Sequence, residues 1–274
     1  MVDIQPPKVP TFPHCSPKTE NPAIAPLPTS ALLLAPTGTG KSVLLSALLT
    51  YPDLYRGCFS RIYIFSANMF ADRVWDEVKA YSAKSIEEGG LGVNQEREKT
   101  FFTLDEKALV RVIQDQIKIA EVMKRKAESG KLKMPLKGVC IVLDDVLDNP
   151  RFRRYSPMID LLASRARHAF ISFFVSTQYL KSISSVVRAG SRTIFCFRLR
   201  SPILPLYEEA AGITTKEEFI RMYERAISEP HGFLNIRMDG EPGQTFFSKF
   251  GENLQTPQEH APDAGSGPSG RPIV

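Results

Sequence analysis

No stretch of this sequence approaches the roughly 18 consecutive apolar residues that a bilayer-spanning helix needs, and its first residues lack the apolar core of a signal peptide. A soluble, intracellular protein with no membrane partner is therefore the expectation. Paired cysteines are missing as well. Cys15, Cys58, Cys140 and Cys196 lie far apart, and Cys140 and Cys196 fall inside apolar runs of strand character. This argues against a disulfide framework or a structural zinc site and suits a reducing compartment. A large excess of one charge is absent too: the formal net charge is +5 and the pI about 9.0. Such a balance is compatible with a nucleic-acid partner without establishing one. There is no internal repeat, which sets aside solenoid architectures.

What is present is enough for one substantial core. The chain has 274 residues, 43% of them hydrophobic, so a single α/β domain flanked by tails accommodates it. Residues 1–29 form a proline-rich arm, with Pro6, Pro7, Pro10, Pro13, Pro17, Pro22, Pro26 and Pro28 forbidding both helix and central strand. That arm reads either as a disordered leader or as a segment packed on a neighbouring subunit. Residues 251–274 turn to Gly, Pro, Ser and Gln and read as a flexible tail, leaving 30–250 as the folded domain.

Within that domain the pattern alternates. Short runs rich in β-branched and aromatic residues predict strands at 31–35, 61–66, 138–144, 170–176 and 193–198. Helical periodicity predicts helices at 41–50, 71–81, 106–129 and 156–167, and then a helix at 215–228 and a strand at 232–238 extending the sheet at one edge. Strand, helix, strand repeated in this way means parallel strands joined by crossover helices. The nearly uniform apolarity of 139–143 and 170–175 says that both faces of those strands are covered by helices.

The chemistry is concentrated where the first strand ends. Ala35-Pro36-Thr37-Gly38-Thr39-Gly40-Lys41-Ser42 follows an apolar strand and opens a leucine-rich helix, which is the pattern of a phosphate-binding loop. Its glycines let successive amides point at one anion, Lys41 neutralises the outer phosphates, and the Ser42 hydroxyl can ligate Mg²⁺. A nucleoside triphosphate is the implied ligand. Ala35 stands where the pattern begins with glycine, so the first turn must use an ordinary backbone conformation. The run Val139 to Leu143 drives a strand through the core to Asp144 and Asp145 at its C-terminal edge. There Asp144 would complete the Mg²⁺ shell and Asp145 would polarise the attacking water, although tandem aspartates also end strands and cap helices. A third strand ends in Ser176-Thr177-Gln178, placing Gln178 to meet the γ-phosphate. Trp75, Tyr81, Phe101 and Phe102 read as packing residues, His168 as structural, and His14 and His231 as isolated.

The order Gly-Thr-Gly-Lys-Ser, Leu-Asp-Asp, Arg165-Ala166-Arg167-His168 leading into the strand that ends Ser-Thr-Gln, and then a further strand at 193–198, resembles the FtsK/HerA superfamily of DNA-pumping ATPases. More closely it is similar to the genome-packaging ATPases of poxviruses, giant viruses and related virus-like transposons. The resemblance covers about residues 30–240 and implies a P-loop NTPase fold of the additional-strand class: α/β, with a mainly parallel central sheet and helices on both faces. It also implies an ATP- and Mg²⁺-dependent motor, a homo-oligomeric ring on double-stranded DNA, with capsid proteins as partners, at viral assembly sites in the cytoplasm or nucleus or in the virion. Such rings complete each site with an arginine from the next subunit, for which Arg165, Arg167, Arg188 and Arg192 are the candidates. Two basic clusters could track a DNA backbone: Lys124, Arg125, Lys126, Lys131 and Lys133, and then Arg151, Arg153 and Arg154. Cations at the end of a long helix are also favoured by its dipole alone. A cellular HerA-like helicase, a small-molecule P-loop kinase and a non-hydrolysing scaffold remain open beside the motor.

Overall fold

The computed structural model describes residues 12–87, 99–103, 105–131, 135–145 and 157–256. Their architecture is an eight-stranded sheet with strand order β3-β2-β4-β5-β1-β6-β7-β8. The strands are β1 (Ser30–Leu34), β2 (Phe59–Ser66), β3 (Phe101–Phe102), β4 (Gly138–Asp144), β5 (Ile171–Thr177), β6 (Thr193–Phe197), β7 (Phe233–Arg237) and β8 (Phe246–Ser248). All pairings from β3 across to β6 are parallel, and the β6–β7 and β7–β8 pairings are antiparallel. β5 lies between β1 and β4, so one strand separates the phosphate loop from the strand of the tandem aspartates. That insertion defines the additional-strand class of P-loop NTPase folds, and it brings the C-terminal ends of β1, β5 and β4 side by side.

Alternation along each strand divides the core into two layers. Leu32, Leu34, Ile141, Leu143, Phe173 and Val175 face one side, with α3 (Glu106–Glu128), α4 (Pro157–Arg165), α5 (Ser185–Gly190), α6 (Leu204–Ala210) and α7 (Lys216–Ala226) supplying residues to that layer. Leu33, Cys140, Val142, Phe174 and Phe195 face the other, against α1 (Lys41–Thr50) and α2 (Val74–Glu87). Because both faces are covered, β4 and β5 are buried along nearly their whole length, which is why they are apolar at successive positions. α1 contributes Leu44, Leu45, Leu48 and Leu49, all buried. Truncating any of these to alanine removes packing worth about 2–5 kcal/mol, so the helix that carries Lys41 is anchored by its own leucines.

The sequence-based boundaries shift where capping chemistry decides. α2 starts at Val74 and not at residue 71, because Asn68 and Asp72 hold the preceding turn, the latter accepting from the Val74 N–H at 3.0 Å. β5 starts one residue later than expected, since Phe170 takes a left-handed φ of 57° that ends the short helical turn Arg167–Ala169. β3, α5, α6 and β8 were not expected; they are short elements of two to seven residues. The described part of the proline-rich segment crosses the domain itself. Asn235 and Arg237 of β7 donate to the Ala23 and Pro22 carbonyls, Tyr55 to that of Ala25, and Leu136 and Cys15 pair backbone to backbone. Residues 251–256 fold back on β8, with Leu254 donating to the Phe246 carbonyl at 2.8 Å. Among the described residues no helix is long and apolar enough to cross a membrane.

Candidate functional site

β1 runs directly into the phosphate loop, and the pairing persists one residue past the strand. The buried Ala35 donates its N–H to the Thr177 carbonyl at 3.0 Å, so this position continues the ladder and needs no glycine. Within the loop, positive φ is confined to Gly38 at 82° and Gly40 at 104°. Thr39 Oγ1 closes the turn by donating to the Pro36 carbonyl at 2.7 Å. α1 then begins at Lys41 with neither a side-chain cap nor an acidic residue in its first turn. Its leading N–H groups and the positive end of its dipole therefore remain directed at the loop, where an anion is stabilised.

The two aspartates occupy the flank of the loop on the β4–β5 side. Asp144 is 3% exposed and accepts from three serines: Ser176 Oγ at 2.6 Å, Ser66 Oγ at 3.2 Å and Ser42 Oγ at 3.4 Å. Those serines come from β5, β2 and α1, so the carboxylate ties three elements together at one edge. Burial pushes its pKa up and the Asp145 charge adds to that, opposed by the Ser176 and Ser66 hydrogen bonds and by Lys41. Asp145 turns away at a left-handed φ of 51°, and its Oδ2 lies 2.5 Å from Lys41 Nζ. The side chains of that ion pair are 6% and 19% exposed. Ser176 Oγ also accepts the Asp145 N–H at 3.0 Å, so one hydroxyl bridges both aspartates. Gln178, just past β5, reaches the loop itself and donates from Nε2 to Thr37 Oγ1 at 3.1 Å.

Ser66, Ser176 and His231 were missed in the sequence reading. No sequence signal singles out the first two, because Ser66 meets Asp144 only through the register of β2 against β4. His231, expected to be isolated, instead places Nδ1 3.1 Å from the Thr39 carbonyl. It is 192 residues distant in sequence and takes a left-handed φ of 56°. Replacing Ser176 by alanine removes a donor to Asp144 and the acceptor of the Asp145 N–H, both inside the buried cluster. The expected result is a loss of about 1–3 kcal/mol, read as a lower urea midpoint at unchanged slope; an unchanged midpoint would show that the cluster contributes nothing to the fold.

None of the four arginine candidates approaches the loop of its own chain. Arg188 is held by Glu209 at 2.6 Å and by the Ile183 carbonyl at 2.7 Å. Arg192 pairs with Asp239 at 2.6 Å and donates to the Pro28 carbonyl. Arg165 and Arg167 are exposed ahead of β5, at the sheet edge opposite Gln178. α3 ends at that same edge, where Lys124 Nζ sits over the Phe170 ring at 5.4 Å and Gln116 holds the Ala169 carbonyl at 3.0 Å. Arg125, Lys126 and Lys131 are exposed beyond it, with Glu121 and Glu128 on the same helix. The fold thus places Arg165, Arg167 and the described members of the first basic cluster, Lys124, Arg125, Lys126 and Lys131, toward one end of the strands. Lys133, Arg151, Arg153 and Arg154 lie outside the described residues.

The sequence matches no protein-family model and no curated protein. Solved structures with a similar chain path include the genome packaging NTPase B204 of Sulfolobus turreted icosahedral virus 2 in complex with ATP-γS, at 18% identity and a TM-score of 0.49, covering 83% of this chain and 97% of that one. The DNA-packaging ATPase B204 of Sulfolobus turreted icosahedral virus aligns at 15% identity with a TM-score of 0.48, covering 83% and 97%. ATPases 2 and 3 of EssC from Geobacillus thermodenitrificans align at 15% identity with a TM-score of 0.42, covering 61% and 31%.

Proposed function

We propose that the chain is an ATP-hydrolysing motor that translocates double-stranded DNA as a homo-oligomeric ring, with a viral genome and a preformed capsid as its cargo and destination. The observation that carries the hydrolytic part is the gathering of Lys41, Asp144, Asp145 and Gln178 around a phosphate loop whose helix has no cap of its own. The loop amides and Lys41 hold the phosphates, which requires the Lys41 ammonium to leave Asp145. Asp145, released from that pair, orients and deprotonates the attacking water. Gln178, already bonded to Thr37, passes the presence or loss of the γ-phosphate from the loop into β5.

The donor set fits Mg²⁺. Ser42 and Asp144 present a hydroxyl and a carboxylate oxygen to one another, and the buried carboxylate is bonded to hydroxyls while the neighbouring lysine pairs with Asp145. Among the described residues no group of three or more His, Cys, Asp or Glu is gathered for a metal. One carboxylate and one hydroxyl completed by substrate phosphates is the arrangement expected for Mg²⁺, not for a protein-caged ion. Bound there, the ion would neutralise charge on the β- and γ-phosphates.

The DNA part rests on Lys124 and the exposed Arg125, Lys126 and Lys131 at and beyond the end of α3, and the viral cargo on the order of the motifs. With Arg188 and Arg192 committed to ion pairs, Arg165 and Arg167 are the arginines free to serve a neighbouring subunit's site. ATPase rate and molecular mass should both rise on adding double-stranded DNA, and indifference of both to DNA would remove the motor reading. Filter binding should weaken steeply with salt, because backbone contacts by several cations release counterions; a flat salt response would exclude them.

A further inference from the structure

We propose that Cys15 and Cys58 form a reversible disulfide site that ties the proline-rich arm to the start of β2, made by exchange with a small oxidised disulfide such as oxidised glutathione. Neither thiol belongs to the phosphate loop, its aspartates or Gln178, so the site stands apart from the nucleotide chemistry.

The backbone brings the two cysteines to one place. Cys15 donates its N–H to the Leu136 carbonyl at 2.8 Å, and Leu136 donates in return to the Pro13 carbonyl at 2.8 Å, with His14 and Leu136 forming a parallel bridge. At Gly138 the same stretch opens β4 and pairs with Phe59 of β2, and Ser60 Oγ donates to the Gly138 carbonyl at 3.0 Å. Cys58 is the residue before Phe59. Both cysteines therefore lie against residues 136–138, and their side chains are in hydrogen-bonding contact. All four cysteines are free thiols, and Cys140 and Cys196 are fully buried inside β4 and β6. Around Cys15 the arm is otherwise held by ring contacts, Phe12 and His14 on Phe170 with centroids 6.1 Å and 5.1 Å apart. A covalent bond at Cys15 would close a loop containing β1, the phosphate loop and α1.

The exchange has a defined order. Cys15 is half-buried and Cys58 is 3% exposed, so Cys15 meets the oxidant first. Its thiolate attacks one sulfur of the small disulfide, forming a mixed disulfide and expelling one small thiolate. The Cys58 sulfur, after losing its proton, attacks Cys15 Sγ, forming the protein disulfide and expelling the second small thiolate. The two cysteine protons end on the two small thiols. Two protein thiols are thus oxidised and one small disulfide is reduced. Burial, and then Cys15 itself, push the Cys58 thiol up to about 12, against the opposing charge of Lys137. The share due to Cys15 disappears once Cys15 is in the mixed disulfide, and contact between the two side chains supplies the proximity that drives the second step.

The test is equilibration of the full chain in buffers of graded oxidised-to-reduced glutathione, trapping of free thiols under denaturing conditions, and tryptic mapping without reduction. Cys15 lies in peptide 9–18 and Cys58 in peptide 57–61, and the two should be recovered joined, with Cys140 and Cys196 trapped as thiols. The folded chain should reach half-formation of this link at a glutathione ratio at least tenfold less oxidising than the same chain unfolded in urea, because the native fold holds the two side chains in contact. By the same linkage the oxidised chain should have a higher urea midpoint than the reduced one. Cys15→Ser, a change at a part-exposed position, should abolish both the joined peptide and the difference in midpoint. Glutathione left on Cys15 without the joined peptide, a link through Cys140 or Cys196, equal ratios for folded and unfolded chain, or a midpoint unmoved by oxidation overturns the proposal. The peptide map reads the wild-type chain and so does not depend on how the variant folds. Failure of the chain to bind or hydrolyse ATP would leave each of these outcomes unchanged.

Discussion

Asp145→Asn is expected to bind ATP at least as tightly as the wild type and to hydrolyse it about 10²–10⁴-fold more slowly, the usual contribution of a general base. The substitution isolates charge from shape. Asp145 sits at a φ of 51°, and asparagine tolerates the left-handed region better than other residues with a side chain, so the backbone at this corner carries little added strain. The N–H of residue 145 keeps its bond to Ser176 Oγ. What is lost is the carboxylate that pairs with Lys41 at 2.5 Å, which frees the ammonium for phosphate. Loss of that charge also removes one of the influences raising the Asp144 pKa, so Asp144 holds its negative charge more readily. Single-turnover hydrolysis beside a nucleotide-binding isotherm separates the two effects. Hydrolysis near the wild-type rate would place the base elsewhere, and loss of binding would make Asp145 a structural residue of the loop.

The parts of this site that the sequence discloses are those whose signal is local. A strand ending at Asp144 is written in five apolar residues before it, and the phosphate loop in its own glycines, so β4 is read to the residue, while the left-handed φ of Gly38 and Gly40 comes from the structure. Gln178 is legible because a strand and a terminus are both visible around it. By contrast, the Ser66–Asp144 and Ser176–Asp144 bonds depend on strand register across separations of 78 and 32 residues, which periodicity does not encode. The contact of His231 with Thr39 depends on the antiparallel β6–β7 edge, which follows the parallel strands in the chain. β3, with two residues, offers no period at all. The arginines illustrate the same limit from the other side. Arg188 and Arg192 look equivalent to Arg165 and Arg167 in sequence, and only the placement of Glu209 and Asp239 separates them.

Lys41→Ala should abolish measurable hydrolysis, a loss of at least about 10²-fold, because the residue supplies the fixed positive charge where negative charge accumulates. Its second effect appears without nucleotide. Lys41 is 5% exposed and is the cation beside Asp145, and it also lowers the Asp144 pKa. Removing it leaves the two neighbouring carboxylates without their compensating charge and lifts the Asp144 pKa further. A carboxylate whose folded pKa lies above its unfolded value is favoured in the protonated form by folding. Stability is therefore relatively retained at low pH and lost as pH rises from the unfolded carboxylate value through the raised one. The stability deficit of Lys41→Ala relative to wild type should accordingly grow as pH rises from the unfolded carboxylate value, measured as urea midpoints at a series of increasing pH. Lys41→Met, which keeps an apolar stem in the same space, should show the same pH slope with a smaller offset, since packing is restored and charge is not. A deficit that is equal at every pH would mean that the lysine contributes packing alone, and the ion pair with Asp145 would then have no energetic weight in the fold.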